Sequence, residues 1–152
     1  MKVVLFQPQI PQNTGNIVRT CAATRSSLIL VPPLGFSVSS RYLKRAGLDY
    51  WAGVSVDHVQ NLFEYLQTLS SPFYFFSTKG KKSYTDIDYT MSDHLVFGSE
   101  TEGLPPLFHE TWPEKFYRLP MCENARCLNL SNTVSIVIYE ALRQNNFINL
   151  KI

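Results

Sequence analysis

Three cysteines in 152 residues cannot pair evenly, which excludes a disulfide-stapled scaffold and leaves the thiols expected to be reduced. Glycine is sparse at 7 residues and follows no collagen-like spacing. No apolar run approaches the ~20 residues of a membrane span. The first one, residues 3–6, stops at Gln7-Pro8, too short for the apolar region of a secretory signal. Charged residues make up only 17% of the chain, with a bland net charge of +2. What is present is ordinary apolar material, 45% of residues, so low-complexity disorder is excluded. One domain spanning residues 1–152 is expected, of a size that buries roughly 68–70% of its unfolded surface. A soluble, cytosolic protein fits these limits.

The charge is unevenly spread. Residues 1–60 hold six basic and two acidic side chains, and the rest hold eight and ten. Arg41, Lys44 and Arg45 are spaced i, i+3, i+4 and form one basic face on a helix, with Tyr42, Tyr50 and Trp51 as nearby stackable rings. Lys79, Lys81 and Lys82 make a second basic knot. Either cluster suits phosphates, and either also reads as a solvated surface.

Short β-rich apolar runs alternate with helical patterns. Strands are expected at residues 3–6, 28–31, 73–76, 94–97 and 116–119, with a weaker one near 54–56. Val59, Leu62, Phe63, Leu66 and Leu69 form a helical stripe. Residues 15–23 and 42–46 read as shorter helices, and residues 133–144 as a long one that is apolar over most of its circumference. Strands that are continuous apolar runs predict an α/β fold, a mostly parallel sheet with helices on both faces. Ligands of such sheets bind beyond the carboxyl ends of the strands.

Three of the loops at those ends are unusual. Gln7-Pro8-Gln9-Ile10-Pro11-Gln12-Asn13-Thr14-Gly15-Asn16 leads into a helix for which Asn13 or Thr14 is a possible cap, and Arg19 one turn on faces the same way as Gly15. An anion such as a substrate phosphate suits that end, as does the plainer alternative of a surface arginine beside a cap. Phe97-Gly98-Ser99-Glu100-Thr101-Glu102-Gly103-Leu104-Pro105 has two glycines but two carboxylates in place of a P-loop lysine, so it suits a cationic ligand such as S-adenosylmethionine better than a triphosphate. A plain turn into a helix with acidic first-turn residues is its alternative. The third, from Arg118 through Pro120, Met121, Cys122 and Cys127 to Asn129, Ser131 and Asn132, is long, and it offers more small polar groups than one cap requires. Cys122 and Cys127 lack partners at zinc spacing, so no metal site is expected. His58, His94 and His109 read as surface or strand-end residues, and Ser131 lacks the setting of a hydrolase nucleophile.

Together these segments resemble the SPOUT superfamily of RNA methyltransferases, and within it the small YibK/TrmL type, the tRNA (cytidine/uridine-34-2′-O)-methyltransferases. Pro11-Gln12-Asn13-Thr14-Gly15-Asn16-Ile17-Val18-Arg19, the loop from Phe97 to Pro105, the stretch from Leu119 through Asn129-Leu130-Ser131-Asn132 to Tyr139-Glu140-Ala141, and Lys44-Arg45-Ala46-Gly47-Leu48-Asp49-Tyr50 carry the resemblance over essentially the whole chain. It implies a SPOUT fold with a deep C-terminal trefoil knot, a homodimer, and S-adenosylmethionine as methyl donor, leaving as S-adenosylhomocysteine. The implied donor contacts are Phe76, Gly98, Leu119, Met121, Cys127, Asn129 and Ser131, with Cys127 standing where a small serine is usual. Arg19 is the implied catalytic residue, with Asn13, Glu100 and Ser131 orienting it or the ribose. The implied acceptor is the ribose 2′-hydroxyl of nucleotide 34 in a tRNA anticodon loop, held by Arg41, Lys44, Arg45, Lys79, Lys81 and Lys82. Another RNA site, a non-catalytic RNA-binding dimer and a flavodoxin-like cofactor binder are the alternatives.

Overall fold

The computed structural model describes residues 1–37, 53–148 and 150–151. The helix expected at residues 42–46, and with it Arg41, Lys44, Arg45 and the Tyr50-Trp51 pair, lies outside the described residues.

Among the described residues seven strands form one sheet: β1 (Lys2–Phe6), β2 (Ser27–Val31), β3 (Val56–His58), β4 (Phe73–Phe76), β5 (Lys82–Ser83), β6 (His94–Phe97) and β7 (Phe116–Arg118). Their order is β3-β2-β1-β6-β4-β7-β5 and every pairing is parallel. Successive side chains point to opposite faces, so Val3 and Leu5 join one core while Val4 joins the other. The first core takes in α1 (Pro11–Thr24) through Ile17, Val18 and Cys21, and the last helix through Val134, Val137, Ile138, Ala141 and Leu142. The second takes in α2 (Leu62–Thr68) through Leu62 and Leu66, and α3 (Pro106–Thr111) through Phe108. Both faces of the central strands are covered, which is why those strands read as unbroken apolar runs. The last helix, α4 (Leu130–Gln144), packs on α1 across one face.

The expected elements are corrected at several points, four of which bear on the site or the sheet. The weak strand lies at Val56–His58, two residues beyond the apolar run at 54–56, with Val56 alone packing inward. The stripe from Val59 to Leu69 is helical only over Leu62–Thr68, because Asn61 caps it by accepting from the Glu64 N–H. A two-residue strand, β5, falls inside the second basic knot and takes Lys82. Finally, α1 starts at Pro11 with Ile10 as its cap residue and no side-chain cap there, which puts Asn13 and Thr14 inside the first turn, buried.

β1 and β6 lie side by side at the centre, with β2 and β3 running outward on one side and β4, β7 and β5 on the other. The loops after β1 and β6 therefore meet at the reversal of strand order, where parallel sheets bind ligands.

Candidate active site

The loop after β6 is a tight closed turn. Ser99 and Gly103 exchange backbone hydrogen bonds in both directions at 3.1 Å, and Gly103 takes φ 70°. A Cβ on Gly98 would collide with the Gly103 backbone, while Gly103 is required by its own positive φ.

That turn presents Glu100 to the loop after β1. One carboxylate oxygen accepts from the Gln9 N–H at 2.8 Å. The other accepts from the Ile10 N–H at 3.1 Å and from Asn13 Nδ2 at 3.1 Å. Thr101 adds a hydroxyl bond of 2.8 Å to the Gln9 side-chain carbonyl. Glu100 thus ties down the two residues that lead into α1 and the Asn13 side chain of its first turn, its charge set against the positive end of the helix. Its carboxylate is engaged by the neighbouring loop, while Glu100 and Glu102 both line the cavity described below.

The chain of bonds continues into the third loop. Asn13 Oδ1 accepts from Asn129 Nδ2 at 2.9 Å. Asn129 Oδ1 in turn accepts from the Ser131 N–H at 2.9 Å and the Ser131 hydroxyl at 2.7 Å, capping α4. A carboxylate has no proton to give, so the polarity of the series is set from Glu100 outward: each amide turns its NH₂ toward the preceding group and its carbonyl toward the next. Three loops distant in sequence are fixed to one another by four side chains. The helices are tied again one turn along, where Thr20 Oγ1 and Ser135 Oγ lie 3.0 Å apart.

Beside this series lies a cavity of about 580 Å³. Phe76, Gly98, Leu119, Met121, Cys127 and Asn129 line it, as do Asn13, Glu100 and Lys79. Ser131 is not among its lining residues: its hydroxyl is turned to Asn129 and the residue is buried. Arg19 is exposed on α1, outside the lining. Lys81 and Lys82 are exposed, Lys82 with its ammonium 5.8 Å from the centre of the Tyr117 ring.

Among the lining residues that sequence reasoning did not single out are two that carry nitrogen bases, His109 and Arg126. His109 stacks on Phe116 with ring centres 3.8 Å apart, and burial together with nearby Lys79 holds its pKa below the usual range. A lone histidine on a short helix carries no local signal. Arg126, a cation between the two cysteines of the third loop, did.

A parallel α/β sheet with a ligand-sized cavity at its carboxyl ends and an arginine-bearing helix pinned beside it defines the class, which solved methyltransferases share. The chain belongs to the SpoU rRNA Methylase family, which matches residues 1–139. A Bacillus subtilis (strain 168) relative, provisionally named a tRNA (cytidine(34)-2′-O)-methyltransferase, is 50% identical over 155 residues, covering 99% of this chain and 97% of that one. A solved protein described in terms of 2-OH methylation of C/U34 on tRNA is 40% identical with a TM-score of 0.88, covering 96% of each chain. An rRNA methyltransferase from Sinorhizobium meliloti with AdoMet bound is 26% identical with a TM-score of 0.81, covering 93% of this chain and 55% of that one.

Proposed function

We propose that this chain transfers the methyl group of S-adenosylmethionine to the ribose 2′-hydroxyl of nucleotide 34, cytidine or uridine, in a tRNA anticodon loop. The observation that carries this reading is the series from Glu100 through Asn13 and Asn129 to Ser131, which holds the Arg19 helix, the cavity and the third loop in one frame. The cavity fits the donor: its volume of about 580 Å³ and its apolar walls of Ile10, Phe76, Phe97, Leu119, Met121 and Leu128 are those of a cofactor site, and Gly98 stands among its lining residues.

When bound, the donor supplies an electrophilic methyl on a sulfonium. The chain's own residues position the acceptor and help its hydroxyl lose a proton, with no covalent intermediate on the protein. A guanidinium with pKa above ~12 is a poor base, so Arg19 anchors an acceptor phosphate and stabilises the charge developing on the 2′-oxygen. Asn13 and Glu100 act through α1, holding its first turn and hence Arg19. Lys79, at the cavity, and the exposed Lys81 and Lys82 meet RNA phosphates, together with Arg41, Lys44 and Arg45. A single-stranded loop suits such a site because its bases splay and its 2′-hydroxyl is accessible.

The same reading includes a homodimer and the knot. Support for pairing comes from the outer face of α4, where Ile136 and Tyr139 are 39% and 49% exposed. Support for the knot comes from residues 77–80, which pass from β4 toward β5 across the end of β7. There Ser77 N–H bonds the Tyr117 carbonyl at 2.9 Å, and Gly80 sits against the Tyr117 backbone. No helix among the described residues is long and apolar enough to cross a membrane.

The test is methyl transfer from labelled S-adenosylmethionine to tRNA, with the methylated nucleotide mapped. Label at ribose 34 is expected; label at another position would move the acceptor, and no label with any RNA would reject the enzyme. Arg19→Ala should lower transfer about a hundredfold or more while leaving donor binding in place. Transfer at the unaltered rate would remove Arg19 from the chemistry.

A further inference from the structure

A second cavity, of about 520 Å³, opens at the amino ends of the strands and shares no lining residue with the first. The two lie at opposite ends of β1, whose five residues span about 13 Å. Four lining residues of the second cavity stand at one level of the sheet. Lys2 is in register with Ser27 on one side and His94 on the other, and Ser55 precedes β3 level with Ser27. Adjacent strands lie about 4.8 Å apart and register partners share a face, so the Lys2 ammonium rises from between a hydroxyl and an imidazole.

The formal side-chain charges here have one sign. Lys2 and Arg25 line the cavity, both exposed, and no carboxylate among the described residues lines it. Neither cation makes a side-chain hydrogen bond or ion pair to a described residue. Asp93, beside His94 in the chain, is fully buried with its carboxylate on the N–H and hydroxyl of Thr90. Arg25 ends α1 in the left-handed region at φ 54°, a place that glycine usually takes. Hydroxyls complete the set. Ser55 is exposed and its hydroxyl makes no bond to a described residue. His94, 2% exposed and neutral near pH 7 through burial, lies within bonding distance of Tyr65 and Ser71. With Tyr65 donating to Nε2, Nδ1–H donates to Ser71, and the Ser71 proton is left for the cavity.

We propose that this amino-end cavity is a phosphate-binding site, taking a phosphate group that is free or ends a small sugar ester. Lys2 and Arg25 supply the charge, and Ser27, Ser55 and Ser71 donate to the oxygens. A volume of about 520 Å³ has room for the sugar as well. The site is separate from the donor cavity and stands whether or not that cavity takes the donor.

The experiment is a titration of ¹⁵N-labelled protein followed by NMR, with S-adenosylhomocysteine present and ionic strength held with sodium chloride. Inorganic phosphate, ribose 5-phosphate and ribose are the probes. Both phosphates should shift the amides of Arg25, Ser27, Ser55 and His94 saturably, and ribose should not. Tighter binding of the sugar ester would assign the site to an organic phosphate, and equal binding to the free anion. Lys2→Gln and Arg25→Gly should each weaken binding about tenfold, while Lys79→Gln, at the other end of the sheet, should leave it unchanged. Arg25→Gly relieves the left-handed backbone, so it should unfold at no lower temperature than the unaltered chain, which separates lost binding from lost fold. No saturable shift at those amides, the same shifts with sodium chloride or ribose alone, or unaltered affinity in both Lys2→Gln and Arg25→Gly would overturn the site.

Discussion

The two ends of the sheet use the same kinds of polar side chain in opposite ways. At the amino ends the bonds stay within small groups, spanning two or three residues at Thr24 and Thr90 and 29 and 23 at His94. His94, 2% exposed, has Nε2 3.0 Å from the Tyr65 hydroxyl and Nδ1 3.1 Å from that of Ser71. The hydroxyls of Thr24 and Ser26 pair at 3.0 Å, and the Asp93 carboxylate accepts from the N–H and hydroxyl of Thr90. At the carboxyl ends the bonds run between distant segments, from Glu100 to Asn13 and from Asn13 to Asn129, and they border an open cavity. Small closed groups serve stability, because their polar atoms are satisfied by one another. An open long-range series serves position, because it fixes segments the backbone leaves independent.

Four measurements would break or sharpen this contrast. The largest effect belongs to the amino end. Burial holds the His94 pKa down from 6.5 to about 4, so between those values the unfolded chain binds more protons than the folded one. Stability should therefore fall as pH drops through that window, by roughly 3 kcal/mol in total. Urea unfolding at stepped pH should show the slope, and His94→Gln should remove it. Next, Glu100→Ala leaves two backbone N–H groups and the Asn13 amide without their acceptor, at about 2 kcal/mol, and should lower methyl transfer well beyond what the lost stability explains. An unchanged rate would mean that the series positions nothing. Asn129→Ala should cost about 1 kcal/mol as a lost cap and weaken donor binding as well. The smallest effect, about 0.5 kcal/mol with binding untouched, is expected of Asn61→Ala, a cap that serves only its own helix α2.

The caps also show what was legible in the sequence. Asn129 and Ser131 announced a helix start because both lie at it; Asn129 turned out to be the cap, and α4 begins a few residues earlier than its apolar pattern suggested. The carboxylate that holds the start of α1 is some 90 residues away, whereas Asn13 and Thr14 are only the nearest residues of a capping type. The strand order was hidden for the same reason, although the strands themselves stood out as apolar runs covered on both faces. β3 and β5 were misplaced or missed because edge strands of three and two residues are too short to show a period. In the site, the three loops were legible as loops that do more than turn. The direction of the Glu100 charge was not, since composition shows that a carboxylate is present but not what it faces.

The central claim is that the loops after β1, β6 and β7 converge on one donor cavity, with Glu100 holding the protein rather than the ligand. A crystal structure with S-adenosylmethionine bound tests it directly. The donor should lie against Gly98, Leu119 and Cys127, with the Glu100 carboxylate still on the N–H groups of Gln9 and Ile10. A donor seated elsewhere, or one whose ammonium has taken Glu100 away from those two N–H groups, would contradict the account.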